Sequence, residues 1–380
     1  MTTERRRGGE RRETTVLDQS ALRTLPAASQ DTGANPRQPT SPLVHIPLYC
    51  APNASDFVAL YMVELHLACL DSYFAHGNTY DVLVTTNDTR PLEVFAAYKA
   101  KTKRHFELRL VNRADLRSTF RTDESGLMDV TCTRTVFSKF FPILNRECDP
   151  IVHVDCDTIF LSKVDLSPLL VSGVGLVDAN QFMRHQAPWY PTAVQAEFFG
   201  ICQPVAPVSR WVNSGVFSVQ GGGFEIVRTE IGHYLENLER AIADGHHVDS
   251  DEIIMNALAV RRRDVVAVIP DYHYNFLAYY LRHDPCWTSR GRIVHFHSLK
   301  PDAYWYVNGA VEYRWGEAQL ERLSDDFYLA VLMWLRHAHA ACRQLAYEFP
   351  TRATMPLEVV EKEFERLTAE RDCKKNASVG

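Results

Sequence analysis

The sequence predicts an α/β fold built around a sheet with a parallel core. Three observations lead there: short apolar runs alternate with segments of helical periodicity over the first half, polar turns separate them, and the last sixty or so residues read as helix alone. Strands that alternate with helices pair in parallel, because a parallel partner needs a crossover.

The elements follow in order. Val44 to Tyr49 is a short buried strand, and the polar turn Pro52-Asn53-Ala54-Ser55 ends it. Asp56 to Phe74 is a helix, with Val58, Met62, Leu65 and Cys69 at helical spacing. Tyr80 to Thr86 is a second strand, Pro91 to Lys101 a helix, and Phe106 to Val111 a third strand. Thr135 to Asn145 is helical and Ile151 to Val154 is the fourth strand. Beyond Val171 the pattern loosens. Val174 to Asp178, Val212 to Val219 and Ile293 to Phe296 read as strands, Phe224 to Ala243 and Asp251 to Val260 as helices. Gln319 to Tyr347 and Leu357 to Arg371 are helices at the end.

Residues 1–42 are rich in Arg, Glu, Thr, Pro, Gln and Ser, too polar to offset the entropy of ordering, and are expected to be a disordered leader. The folded domain is expected over 43–315 and the helical extension over 316–380. With 380 residues and 46% hydrophobic content there is enough material for one large core. A net charge of -6 excludes the basic footprint of a nucleic-acid binder. The nine cysteines form no Cys-x-x-Cys pair, which argues against a thiolate zinc site; free buried thiols imply a cytoplasmic location. The start lacks an apolar signal segment, and no apolar run nears the ~20 residues that span a bilayer. Phe327 to Leu335 is therefore read as a buried helix.

Four constellations carry chemistry. Asp155 and Asp157 follow the apolar strand Ile151 to Val154. Residues two apart in extended chain point to one side, so both carboxylates can reach one hard cation, Mn²⁺ or Mg²⁺. The competing reading is a turn whose aspartates cap a helix or face water. Ile293 to Pro301 places His295 and His297 at a strand end with Lys300 close behind, an imidazole to complete a metal shell and an ammonium for a phosphate oxygen. A surface histidine pair is the plainer alternative. Asn213-Ser214-Gly215 is a small corner before an apolar strand, where glycine admits a ligand close to the backbone, or simply an ordinary turn. Asp251 and Glu252 open an apolar helix, with Asp249 or Ser250 as the candidate cap.

In this order, the four pieces resemble the retaining glycosyltransferases of family 8, which include glycogenin and the lipopolysaccharide galactosyl- and glucosyltransferases. The resemblance spans roughly residues 43–305. His153-Val154-Asp155-Cys156-Asp157-Thr158 is similar to the family's Tyr-Leu-Asp-x-Asp-Thr, and Val164 to Leu169 to the segment after it. The resemblance implies a GT-A fold, a Rossmann-like mixed sheet flanked by helices. It implies metal ligation by Asp155, Asp157 and a histidine, His295 or else His297, with His295 favoured. Donor contacts are implied for Lys139, on the helix around Phe137-Ser138-Lys139-Phe140, for Asp178, and for Asn213, Ser214, Gly215 and Lys300. Asp251-Glu252 stand where the family has Asp-Gln, so both are expected at the reacting sugar. Three departures stand out: the spacing from His295 to Lys300 is one residue short with Ser298 in place of glycine, Glu252 replaces glutamine, and Asn53 stands where an aspartate usually meets the base.

The implied reaction moves a hexose from a nucleotide diphosphate sugar, a UDP-sugar by resemblance, to a carbohydrate, lipid-linked or protein acceptor, with retention. Two other classes remain as rivals. One is a catalytically inactive nucleotide-sugar-binding module. The other is a haloacid-dehalogenase-type phosphatase, whose motif would need a residue between Asp157 and Thr158. The aromatic residues Phe182, His185, Trp189, Tyr190 and Tyr304-Trp305-Tyr306 could stack on a sugar or pack within loops.

Overall fold

In a computed structural model, residues 41–48, 56–111, 139–145, 148–179, 212–243, 251–297, 304–307, 310–313, 324–346 and 355–377 are described. Residues 1–40 of the leader, Asn53, Phe137, Ser138, the aromatic stretch 181–190, Asp249, Ser250 and Lys300 lie outside them.

The centre is a seven-stranded mixed sheet. Its parallel half contains β1 (Leu43–Leu48), β2 (Val82–Thr86), β3 (Glu107–Leu110) and β4 (Ile151–Val154). The other half holds β6 (Gly173–Val177), β7 (Val216–Gln220) and β8 (Val266–Ile269), of which β7 runs antiparallel to both its neighbours. The order is β3-β2-β1-β4-β7-β6-β8. The chain leaves β1 toward β2 on one side and returns as β4 on the other. In open α/β sheets the crevice beyond the strand ends at such a reversal is where ligands bind, and Asp155 follows β4 at that place.

Local chemistry sets the helices. α1 (Asp56–Ala75) and α2 (Thr89–Thr102) connect the parallel strands. α2 starts ahead of the expected Pro91, because the Asp88 carboxylate accepts from the Arg90 amide at 2.9 Å as an N-cap. Residues 139–144 are helical. α3 (Gly223–Ala243) and α4 (Asp251–Arg261) cover the other half of the sheet.

The strand expected from Val212 begins only at Val216. The Asn213 side-chain oxygen accepts from the Gly215 amide at 2.9 Å, closing a turn, and Asn256 holds the Val212 backbone by both its N–H and C=O. Those bonds keep residues 212–215 out of the ladder. Strand β8 was not anticipated, since four apolar residues behind a charged turn give too short a period to read.

A second sheet holds the site's other side: β5 (Thr158–Phe160), β9 (Phe276–Leu277) and β10 (Ile293–His295), in the order β5-β10-β9. β10 pairs antiparallel to β5, with His295 opposite Thr158. A hairpin, β11 (Tyr304–Val307) and β12 (Ala310–Tyr313), follows.

The terminal helices are α5 (Asp325–Leu345), capped by Ser324, and α6 (Leu357–Ala377). Phe327 to Leu335 is largely buried on α5, packed with Leu65 and Ala68 of α1, Ile159 of β5, Val294 of β10 and Val360 of α6. The last helices thus share a core with the sheet that carries His295. No described helix is long and apolar enough to cross a membrane.

Candidate active site

Backbone pairing assembles the site before any side chain does. The Asp155 amide donates to the Gly215 carbonyl at 2.8 Å, and the Phe296 amide to the Asp157 carbonyl at 3.0 Å. The loop after β4 is therefore clamped between the Asn213-Gly215 turn and the end of β10. His295 Nε2 lies 3.3 Å from Asp157 Oδ1 and 3.7 Å from Asp155 Oδ2. One ligand atom from each of the three side chains lies within 4.8 Å of the others.

The orientation of His295 is settled by its neighbours. Asn275 donates through Nδ2 to the Asn213 carbonyl and side-chain oxygen, both at 3.2 Å. Its Oδ1 therefore faces His295 Nδ1, at 3.0 Å, and accepts from it. With a proton on Nδ1, Nε2 is the ring nitrogen turned toward two carboxylate oxygens. Two carboxylates this close in a mostly buried place repel each other unless positive charge lies beside them. The two carboxylates suit a hard divalent cation such as Mn²⁺ or Mg²⁺, and the 3.3 Å spacing from Asp157 to His295 is near the ~3 Å edge that 2.0–2.1 Å metal bonds give an octahedron. The residues present fit such an ion.

His297 does not join them. Its φ of +51° turns the chain after β10, and its Nε2 lies 3.8 Å from Glu252 Oε2. Of the two histidines at this strand end, His295 reaches the aspartates and His297 reaches α4.

Lys139 is buried beneath the carboxylates. Its ammonium sits 2.9 Å from Asp155 Oδ1, bonds Asp251, and approaches the Ser214 carbonyl at 3.3 Å. Ser214 Oγ also donates to Asp251. Burial alone would lower the Lys139 pKa, but Asp155 and Asp251 outweigh it and keep the ammonium charged. The same balance holds Asp155 ionised: burial opposes its charge, and Lys139, His153 and His295 overcome that and lower its pKa. Asp178 is buried at the carboxyl end of β6, its amide bonded to the Ile269 carbonyl. Glu252 is partly exposed in the first turn of α4.

The glycine at 215 has a use the sequence did not reveal. A Cβ there would stand 2.2 Å from His295 Cε1 and 2.3 Å from Nδ1. The imidazole of His295 fills the space a side chain at 215 would need.

Three residues outside the expected set support the site: Asn275, which orients His295, and His153 and His45, which lead away from Asp155. His153 Nε2 bonds Asp155 Oδ1 at 2.9 Å, its Nδ1 faces His45 Nδ1 at 3.4 Å, and His45 Nε2 faces Thr85 Oγ1 at 2.8 Å. Both rings are fully buried, which disfavours the charged form, lowers the pKa of His45 well below its usual range and brings that of His153 to about 4. The signal in the sequence was a lone amide at 275 in an apolar run and two histidines inside apolar strands.

No protein-family model matches this sequence, and no curated protein matches it. Solved structures do resemble the chain. It is similar to the galactosyltransferase LgtC in complex with donor and acceptor sugar analogs, at 15% identity over 78% of this chain and 95% of that one, with a TM-score of 0.46. It is similar to mouse xyloside xylosyltransferase 1 at 12% identity over 68% of this chain and 99% of that one, TM-score 0.43. It is also similar to the bifunctional glycosyltransferase WbbM at 16% identity over 78% of this chain and 50% of that one, TM-score 0.46.

Proposed function

We propose that the chain is a metal-dependent glycosyltransferase of GT-A type that moves a hexose from a nucleotide diphosphate sugar, a UDP-sugar by its motifs, to an acceptor hydroxyl. The observation that carries this reading is the convergence of Asp155, Asp157 and His295 Nε2 beyond the strand ends at the sheet's reversal. Asp155, Asp157 and His295 would hold Mn²⁺ or Mg²⁺, which supplies positive charge to the departing diphosphate.

The chain's own residues do the rest. Lys139 bridges Asp155 and Asp251, offsetting part of their charge, and fixes them relative to each other. Its engagement there favours a supporting role over direct contact with the donor. Asn213, Ser214 and Gly215 form the turn against which Asp155 and His295 are set, and Asp178, Asn53 and Lys300 are assigned to the donor by motif. Asp251 and Glu252 are assigned to the reacting sugar. Retention follows either from attack by Glu252 on the anomeric carbon or from front-face return with Glu252 bracing the positive charge of an oxocarbenium-like sugar. The second fits an α4 carboxylate that His297 already approaches. The transfer machinery is assigned to residues 43–315 and structural support to 316–380. The cytoplasmic assignment rests on the sequence alone, on its scattered cysteines without a Cys-x-x-Cys pair.

A donor-hydrolysis screen across nucleotide sugars with Mn²⁺ tests the proposal. Release of free sugar from a UDP-hexose is expected. Binding without release under all acceptors would favour an inactive binding module, and phosphate release from simple phosphoesters would favour a phosphatase.

A further inference from the structure

We propose that His153 and His45 are positioning residues: a hydrogen-bonded ladder, ended by Thr85, that crosses three parallel strands and sets the orientation of the Asp155 carboxylate. This rests on the cation site proposed above, and deepens it.

The ladder is conspicuous for where it runs. His45 and His153 are directly paired across β1 and β4, and Thr85 lies on β2, the next strand out. All three are buried in the half of the sheet that is otherwise built mainly from Val, Ile and Leu. Polar side chains in such a place cost stability unless their hydrogen bonds are all made, and apolar residues would fill the same space at lower risk. Here the bonds are made in series, and the series ends on Asp155.

Its direction is fixed from the Asp155 end. An ionised carboxylate only accepts, so His153 Nε2 carries a proton. In a neutral ring, Nδ1 of His153 is then bare and accepts from His45 Nδ1. That leaves His45 Nε2 bare, to accept from the Thr85 hydroxyl. Every donor meets an acceptor in this arrangement.

The rings cannot drift. His153 stacks on Phe217 of β7, with centroids 4.7 Å apart and planes at 21°, and meets His45 edge-on at 5.4 Å. The N–H aimed at Asp155 Oδ1 is thus held by the sheet itself. Lys139 touches both Asp155 oxygens, at 2.9 and 3.2 Å, and so supplies charge without choosing between them. The imidazole chooses: it holds Oδ1 and leaves Oδ2 as the oxygen nearer His295. Partners of this kind behind a metal ligand are worth ~10–100-fold in metal affinity.

The test is Mn²⁺ titration by calorimetry on the full chain, with thermal unfolding followed in parallel. His153→Phe keeps the stacking on Phe217 and removes the donor; its Mn²⁺ affinity should fall ~10–100-fold. His153→Gln, whose amide can replace Nε2–H, should recover most of that loss, a rescue that a merely space-filling role would not produce. Thr85→Val frees His45 to take the other tautomer and should weaken Mn²⁺ binding by a smaller factor. Wild-type affinity in folded His153→Phe would overturn the ladder; should that variant fail to fold, wild-type affinity in Thr85→Val would do so. Asp157→Ala separates the two levels. If it loses Mn²⁺ while His153→Phe does not, the cation site stands and the ladder falls. If it binds Mn²⁺ as tightly as wild type, the cation site falls and takes the ladder with it.

Discussion

Gly215 lies directly beneath the imidazole of His295, so close that a methyl group on residue 215 would stand 2.2 Å from Cε1. The same glycine accepts the Asp155 amide through its carbonyl. One residue without a side chain thus sets the spacing between two of the three proposed ligands.

Gly215→Ala should therefore act on the site first and on the fold second. The added methyl must push His295 aside or open the turn, an overpacking cost of ~1–3 kcal/mol. Urea unfolding should show that modest loss, while Mn²⁺ binding falls by much more than the stability change explains.

Asn275 gives a second probe, because it bonds the imidazole of His295 directly. Asn275→Leu removes the acceptor that keeps the proton on Nδ1. Mn²⁺ affinity, read by calorimetry, should drop ~10–100-fold with the fold retained.

Lys139→Met leaves Asp155 and Asp251 facing each other without the ammonium between them. Breaking a buried ion pair from one side costs ~3–5 kcal/mol, so chemical denaturation should show a loss of that order. Adding Asp251→Asn should recover part of it, because one of the two stranded charges is then gone.

Glu252→Gln decides between the two routes to retention. As a brace, Glu252 should be replaceable with at most about a tenfold loss in kcat, ~1.4 kcal/mol of barrier. A collapse of kcat with unchanged donor binding would assign it as the nucleophile.

Much of the fold could be read along the chain because its signals are local. β1, β2 and β4 are apolar runs ended by polar turns, and the helix after β1 carries its apolar periodicity. Asp155 and Asp157 were legible for the same reason: two carboxylates just past a strand end. What could not be read depends on which strands become neighbours. His295 meets Asp157 only because β10 pairs with β5, a relation the sequence conveyed through family resemblance and not through periodicity. The contact of His45 with His153 requires β4 to return beside β1, and no spacing between the two histidines encodes that. Val212 to Gly215 looked like strand because its apolar start continues into β7; the side-chain amides of Asn213 and Asn256 claim its backbone instead.

The most direct measurement is the affinity of a UDP-hexose for the protein with and without Mn²⁺, in the wild type and in Asp157→Ala. Tight binding that requires Mn²⁺ in the wild type, and disappears in a folded Asp157→Ala, is the predicted result. Equal donor affinity in the presence and absence of Mn²⁺ would contradict it.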